Sequence, residues 1–200
     1  MKPIDQKSLR RTAFLATVLL SMFGLWPALA GSEEVDPQEK KAWAALRSGG
    51  IVLLRHANAP GFGDPPEFML GDCRTQRNLD AAGRAQAQGI GARFRQQGVR
   101  PGKVLASQWC RTLDTAEAAF PGQVEPEPVF NSFFQDRSEA PAQTAMARAL
   151  LLAWRGPSAL VVVTHQVNIT ALSDIVPASG EGIVLQRDGP QLRVVGRVRP

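Results

Sequence analysis

The stretch Gly50-Ile51-Val52-Leu53-Leu54-Arg55-His56-Ala57-Asn58 decides the fold. Four aliphatic residues after a glycine pair predict a short strand buried on both faces. A cation and an imidazole follow where that strand ends. In an open α/β sheet, ligands bind at the carboxyl ends of the strands. The chain holds only two histidines, and the second repeats the layout. Leu160-Val161-Val162-Val163-Thr164-His165 is another apolar run closed by His. A third run, Val104-Leu105-Ala106, leads into Ser107-Gln108-Trp109-Cys110-Arg111. Three strand ends thus deliver His56, Arg111 and His165, with Arg55 beside the first. That set suits a dianion.

Outward from these strands, the chain alternates. Asp36-Pro37 caps a helix running to about Arg47, and Ser48-Gly49-Gly50 ends it. Residues 57–79, rich in Gly, Pro and Asp, read as a long loop over the site, a length that is usually functional. Asp80 or Asn78 caps a helix to about Gln97, closed by Gly98. Further helices are expected at 110–119, 140–154 and 167–174, with a short strand near Val124. Strands 183–186 and 192–195, joined through Asp188-Gly189, predict a closing hairpin. Strands alternating with helices give an α/β fold. The expected form is a three-layer α/β/α sandwich on a mostly parallel sheet with one antiparallel edge.

Three motifs, Leu54-Arg55-His56-Ala57, then Ser107-x3-Arg111-x3-Thr115-Ala116, then Thr164-His165, resemble the histidine phosphatase (phosphoglycerate-mutase-like) superfamily. The likeness is to its small exported phosphatases and spans about Gly50 to Ala171. The first motif usually reads Arg-His-Gly; Ala57 replaces the glycine here. The resemblance implies a phosphatase acting on a small phosphorylated substrate.

The chemistry of a phosphate monoester assigns the roles. Two negative charges repel an anionic nucleophile, whereas a neutral imidazole attacks phosphorus and gives a phosphohistidine. His56 is the expected nucleophile. Arg55 and Arg111 are expected to clamp the phosphate oxygens with planar forks, and His165 to donate to the dianion. No metal and no cofactor is required by this scheme. Asn58 either touches phosphate or does not. Arg77 either reaches the phosphate or anchors the long loop, and Thr115 packs or caps. Ser107 is the competing nucleophile, with no base beside it in sequence. The family pattern fails at the general acid: many members carry a carboxylate after the third strand, where this chain has Asn131-Ser132. Asp136 is the first candidate, with Asp64, Asp72 and Glu67 on the long loop as others. The alternatives are a phosphatase of an envelope sugar phosphate, of the lipopolysaccharide core type, and a silent module that binds phosphorylated ligands.

The amino terminus sets the compartment. Lys2, Lys7, Arg10 and Arg11 precede an apolar run from Ala13 to Trp26, and Ala28-Leu29-Ala30 supplies a small-x-small cleavage pattern. Residues 1–30 therefore read as a signal peptide and 31–200 as the catalytic domain, with a periplasmic or secreted location and no membrane span after cleavage. The full chain carries a net charge of +5. Without residues 1–30, 19 basic and 17 acidic residues remain, a net charge of +2. No basic block with interleaved aromatics is left, which argues against nucleic acid as a partner. Cys73 and Cys110 are the only cysteines, and in an exported protein an even count predicts a disulfide. The alternative is two buried free thiols.

Overall fold

The structure is a computed structural model and describes residues 36–200. The proposed signal peptide, residues 1–30, lies outside the described residues. Helices and strands alternate as α1 (Pro37–Arg47), β1 (Ile51–Arg55), α2 (Ala81–Gln96), β2 (Pro101–Ala106), α3 (Cys110–Ala119) and β3 (Val124–Pro126). They continue as α4 (Ala140–Ala153), β4 (Ala159–Thr164), α5 (Gln166–Ser173), β5 (Gly182–Asp188) and β6 (Gln191–Val198). The sheet order is β3-β2-β4-β1-β5-β6. Strands β3, β2, β4 and β1 run parallel, and β5 pairs antiparallel with both β1 and β6. This is the expected α/β fold, with the antiparallel hairpin at one edge.

Both faces of the sheet are covered, as continuous apolar strands require. Val52, Leu54, Val104, Ala106, Val161 and Val163 pack against Trp43 of α1, Phe94 of α2 and Ala116 of α3. The alternate residues Ile51, Leu53, Leu105, Leu160 and Val162 pack against Leu151 of α4 and Ile169 of α5. Period-two alternation thus splits each strand between two cores. On the first face, Phe94 meets Trp43 and Phe120 edge to face, with centroids 5.1 Å apart in each pair. Each such pair adds roughly 0.5–1.5 kcal/mol beyond its area burial.

Caps and glycines set the helix positions. The Asp36 carboxylate accepts from Gln38 N–H at 2.9 Å, with Pro37 in the first turn. Asp80, not Asn78, caps α2, accepting from Gly83 N–H at 2.7 Å. The glycines inside α2 mark close approaches: a Cβ on Gly83 would overlap the Asn58 carbonyl, and one on Gly91 would overlap Ala119. Strand β2, expected over 103–106, starts two residues earlier at Pro101, a first-of-strand position that proline tolerates. The hairpin strands also run longer than expected, because α1 covers β6, where Gly196 lies against Gln38 and Ala42.

Between β1 and α2 the chain forms only one 3-10 turn, Cys73–Thr75. That segment is tied down instead by the Cys73–Cys110 disulfide, across a sequence separation of 37 residues. Beside the bond, Gln76 Oε1 accepts from Cys110 N–H at 2.9 Å. The expected disulfide therefore joins the long loop to the start of α3. In the chain-entropy account, closing a loop of this size stabilises by about 4 kcal/mol. Urea unfolding of Cys73→Ser should lower the unfolding free energy by that order, and adding reductant to the wild type should do the same. An unchanged midpoint in both cases would remove the bond from the stability of the protein.

Candidate active site

Strands β1 and β4 are adjacent and in parallel register, with Arg55 opposite Thr164. The residues that follow, His56 and His165, therefore emerge side by side, their ring centroids 5.6 Å apart. The His56 backbone N–H donates to the Thr164 carbonyl at 3.0 Å, which extends the ladder one step past the strand. His56 Nδ1 lies 2.7 Å from the Ala57 carbonyl oxygen and donates to it. That fixes the tautomer and leaves the lone pair on Nε2, which accepts from Arg111 Nε–H at 3.3 Å. Burial lowers the His56 pKa to about 3; Arg111, Arg55 and Arg77 add to this, and the Ala57 hydrogen bond opposes it. The ring is neutral at physiological pH.

Arg111 is the second residue of α3 and is 3% exposed. A buried guanidinium requires a partner, and Asp64 of the long loop supplies it. Arg111 Nη1 donates to Asp64 Oδ1 at 2.7 Å and Nη2 donates to Oδ2 at 3.1 Å. The carboxylate also accepts from Arg77 N–H and from Trp109 Nε1–H. Burial pushes the Asp64 carboxyl up, but the hydrogen bonds and charge of Arg111, with those from Arg77 and Trp109, hold it below its ordinary value. Asp64 is thus an ionised counter-charge that orients Arg111.

His165 sits at the start of α5. Its Nε2 lies 2.8 Å from Ser107 Oγ, and its Nδ1 lies 3.5 Å from Arg111 Nη2. Because Arg111 can only donate, Nδ1 is the acceptor and Nε2–H points at Ser107. Burial, His56 and the three arginines hold His165 well below its ordinary value. Asn131 holds the other side of Ser107, its Oδ1 accepting from Ser107 Oγ at 3.3 Å and from Gln108 N–H at 2.8 Å. The sequence shows no base beside Ser107, and the fold brings His165 within hydrogen-bond distance as a donor rather than a base.

Arg55, His56, Asp64, Arg77, Arg111 and His165 line one cleft. Three guanidiniums against one carboxylate leave a surplus of two positive charges there. Arg55 Nη1 donates to the Pro177 carbonyl at 3.0 Å, while its buried Nε has no partner among the described residues. Arg77 lines the cleft and also anchors the loop, its Nε donating to the Gly63 carbonyl at 2.8 Å and its Nη1 to Ala59. The anchoring contacts expected of it are present. Thr115 caps rather than binds: its Oγ1 accepts from Ala57 N–H at 3.0 Å and donates to the Arg111 carbonyl.

Two expected site residues stand elsewhere. Asn58 is exposed and outside the cleft lining; the packing of its carbonyl on Gly83 directs that residue to α2. Asp136 also lies outside the lining, exposed, with Oδ1 accepting from the Ser138 N–H and hydroxyl. Those bonds hold its carboxyl below its ordinary value, the wrong direction for an acid. Phe62 of the long loop and Phe134 also line the cleft, from the two segments expected to shape the substrate end, whereas Trp109 was not expected there. Only the place of Trp109 between Ser107 and Arg111 signals it. Among the described residues, no group of three or more His, Cys, Asp or Glu could hold a metal ion, and no helix is long and apolar enough to cross a membrane.

No family model matches the chain, and no curated protein matches it. Solved structures do. A protein assigned as the phosphohistidine phosphatase SixA of Agrobacterium tumefaciens is 21% identical, with a TM-score of 0.54 over 76% of this chain and 99% of its own. The protein histidine phosphatase SixA, complexed with tungstate, is 17% identical, with a TM-score of 0.53 over 74% of this chain and 95% of its own. A mycobacterial glucosyl-3-phosphoglycerate phosphatase with inorganic phosphate is 16% identical, with a TM-score of 0.54 over 73% of this chain and 95% of its own. The chain carries the fold of the phosphoglycerate-mutase-like histidine phosphatases.

The two buried, neutral histidines make stability depend on pH. An unfolded histidine binds a proton below about pH 6.5, whereas folded His56 does so only near 3. Their contribution is present in full above pH 6.5 and is lost as pH falls toward the folded values. Each adds a slope of up to about 1.4 kcal/mol per pH unit in that window. Urea unfolding between pH 7 and 4.5 should show stability falling with pH, and His56→Gln should flatten the slope. Stability independent of pH across that window would contradict the neutral assignment.

Proposed function

We propose that the chain is an exported phosphomonoesterase that works through a phosphohistidine on His56. The observation that carries this reading is the His56 tautomer: Nδ1–H is committed to Ala57, so a neutral Nε2 lone pair faces the cleft beside Arg111. The fold shared with phosphatases that act on phosphohistidine and on a sugar phosphate supports the same class.

The reaction follows from the residues. A phosphate dianion matches the surplus of two positive charges, and Arg55, Arg77 and Arg111 are placed to hold its oxygens. These guanidiniums supply the positive charge that a metal would otherwise bring. Nε2 attacks phosphorus, the P–O ester bond breaks, and the leaving oxygen keeps the electron pair. Water then attacks phosphorus, the P–N bond breaks, and inorganic phosphate leaves. The dianion also raises the proton affinity of His165, whose ring can then donate to a phosphate oxygen. Ser107 is a poor nucleophile despite its contact with His165: it is fully buried, lies outside the cleft lining, and its Oγ accepts from His165 Nε2–H while donating to Asn131, so no base takes its proton. The Cys73–Cys110 bond supports an oxidising compartment and so the periplasmic or secreted location.

Rapid mixing with labelled substrate and an alkaline quench tests the intermediate. A phosphoramidate survives alkali and decays in acid, so the label should sit on His56. His56→Ala should abolish label and turnover, while Ser107→Ala should keep the label on His56. Label on Ser107, or turnover that disappears with a chelator, would overturn the reading.

A further inference from the structure

Beyond the phosphate-holding residues, the cleft is lined by Phe62, Ser132, Phe134, Gln135, Gln166 and Val167. None of these is charged. Phe62 is 88% exposed, held between Gly61 and Gly63, both at positive φ. Its ring meets Phe134 edge to face across the mouth of the cleft, with centroids 5.2 Å apart. The pair forms an aromatic surface at the mouth of the cleft. The cavity volume is about 120 Å³, and its lining holds both the arginines and the two rings, so the organic group of an ester held by the arginines lies within reach of Phe62 and Phe134.

A second, independent observation concerns the leaving group. Asp64 is the one carboxylate in the lining, and four donors keep it ionised. No carboxylic acid therefore faces the departing oxygen. An alkoxide departs poorly without a proton, whereas a phenoxide departs readily.

We infer that Phe62 and Phe134, already in edge-to-face contact, clamp a flat, uncharged aromatic ester group between their joint face and the phosphate-holding residues, and that aryl phosphates are the substrate class of this site. The inference rests on the phosphatase reading above. In the first step the aryl C–O bond stays intact, and the P–O bond breaks as the P–N bond to His56 forms. The phenoxide leaves with the electron pair and takes its proton from water. The uncharged polar side chains on this side are Ser132, Gln135 and Gln166, few partners for the hydroxyls of a sugar.

Calorimetry with non-hydrolysable phosphonates tests the clamp without requiring turnover. The purified protein should bind 2-phenylethylphosphonate roughly tenfold more tightly than ethylphosphonate, the scale of one aromatic contact. Phe62→Ala and Phe134→Ala should each bring the two affinities within about twofold. Equal affinities in the wild type, or a preference that survives both substitutions, would overturn the clamp. Turnover tests the second half: phenyl phosphate should be hydrolysed at least a hundredfold faster than 2-phenylethyl phosphate, and glucose 6-phosphate no faster than the latter. A sugar phosphate as the best substrate would overturn the assigned class. Ring-dependent phosphonate binding with no hydrolysis of any ester would instead remove the phosphatase reading and leave the clamp standing.

Discussion

The buried pairing of Arg111 with Asp64 is the constraint from which the ligand cleft follows. A guanidinium 3% exposed cannot stand alone, because desolvating a charge costs several kcal/mol unless a partner and hydrogen bonds offset it. Its partner comes from a loop 47 positions earlier in the chain. Once Asp64 is fixed there, its remaining lone pairs draw in Trp109 and the Arg77 backbone. Phe68 then stacks on Trp109, with centroids 4.9 Å apart. One charge requirement thereby orders a segment that has almost no regular structure of its own.

The same pairing separates two kinds of electrostatic work. Asp64 cancels one positive charge, so the cleft keeps a positive surplus without three uncompensated arginines crowding one another. Burial and the remaining positive charge keep His56 unprotonated, which preserves its lone pair. The positive residues thus guard the imidazole against protonation, and in the proposed reaction the same residues would hold the phosphate oxygens. The sheet supplies rigidity, since both histidines follow fully buried strands, and the loops supply shape.

Legibility in the sequence followed the range of the interactions. Strand β1 announces itself through four consecutive aliphatic residues, and Arg55 and His56 through their place at its end. The helices were readable from Asp36, Asp80 and their glycine stops. Cys73 with Cys110 was readable because only two cysteines exist. The role of Asp64 was not, because a carboxylate in a Gly- and Pro-rich loop has the same local signature whether it orients an arginine or donates a proton. Only the distance to Arg111 separates those roles. Asp136 shows the converse: its neighbours Phe134 and Gln135 reach the cleft, while its own side chain turns to Ser138. The contact of Ser107 with His165 joins residues 58 positions apart, beyond any local pattern.

The pairing of β1 with β4 acts as a ruler for the histidines. Parallel neighbours lie about 4.8 Å apart, and one residue along a strand is about 3.3 Å. His56 and His165 each follow directly on the Arg55–Thr164 pair, so their separation is inherited from the backbone ladder rather than tuned by side chains. A single inserted residue in 51–56 or 159–165 would shift one imidazole by a full step and turn it to the opposite face of the sheet. Residues 57–79 obey no such ruler, apart from the points where Asp64, Cys73 and Arg77 are anchored. Variation in length and composition can accumulate at the mouth of the cleft while the distance between the two imidazoles stays fixed.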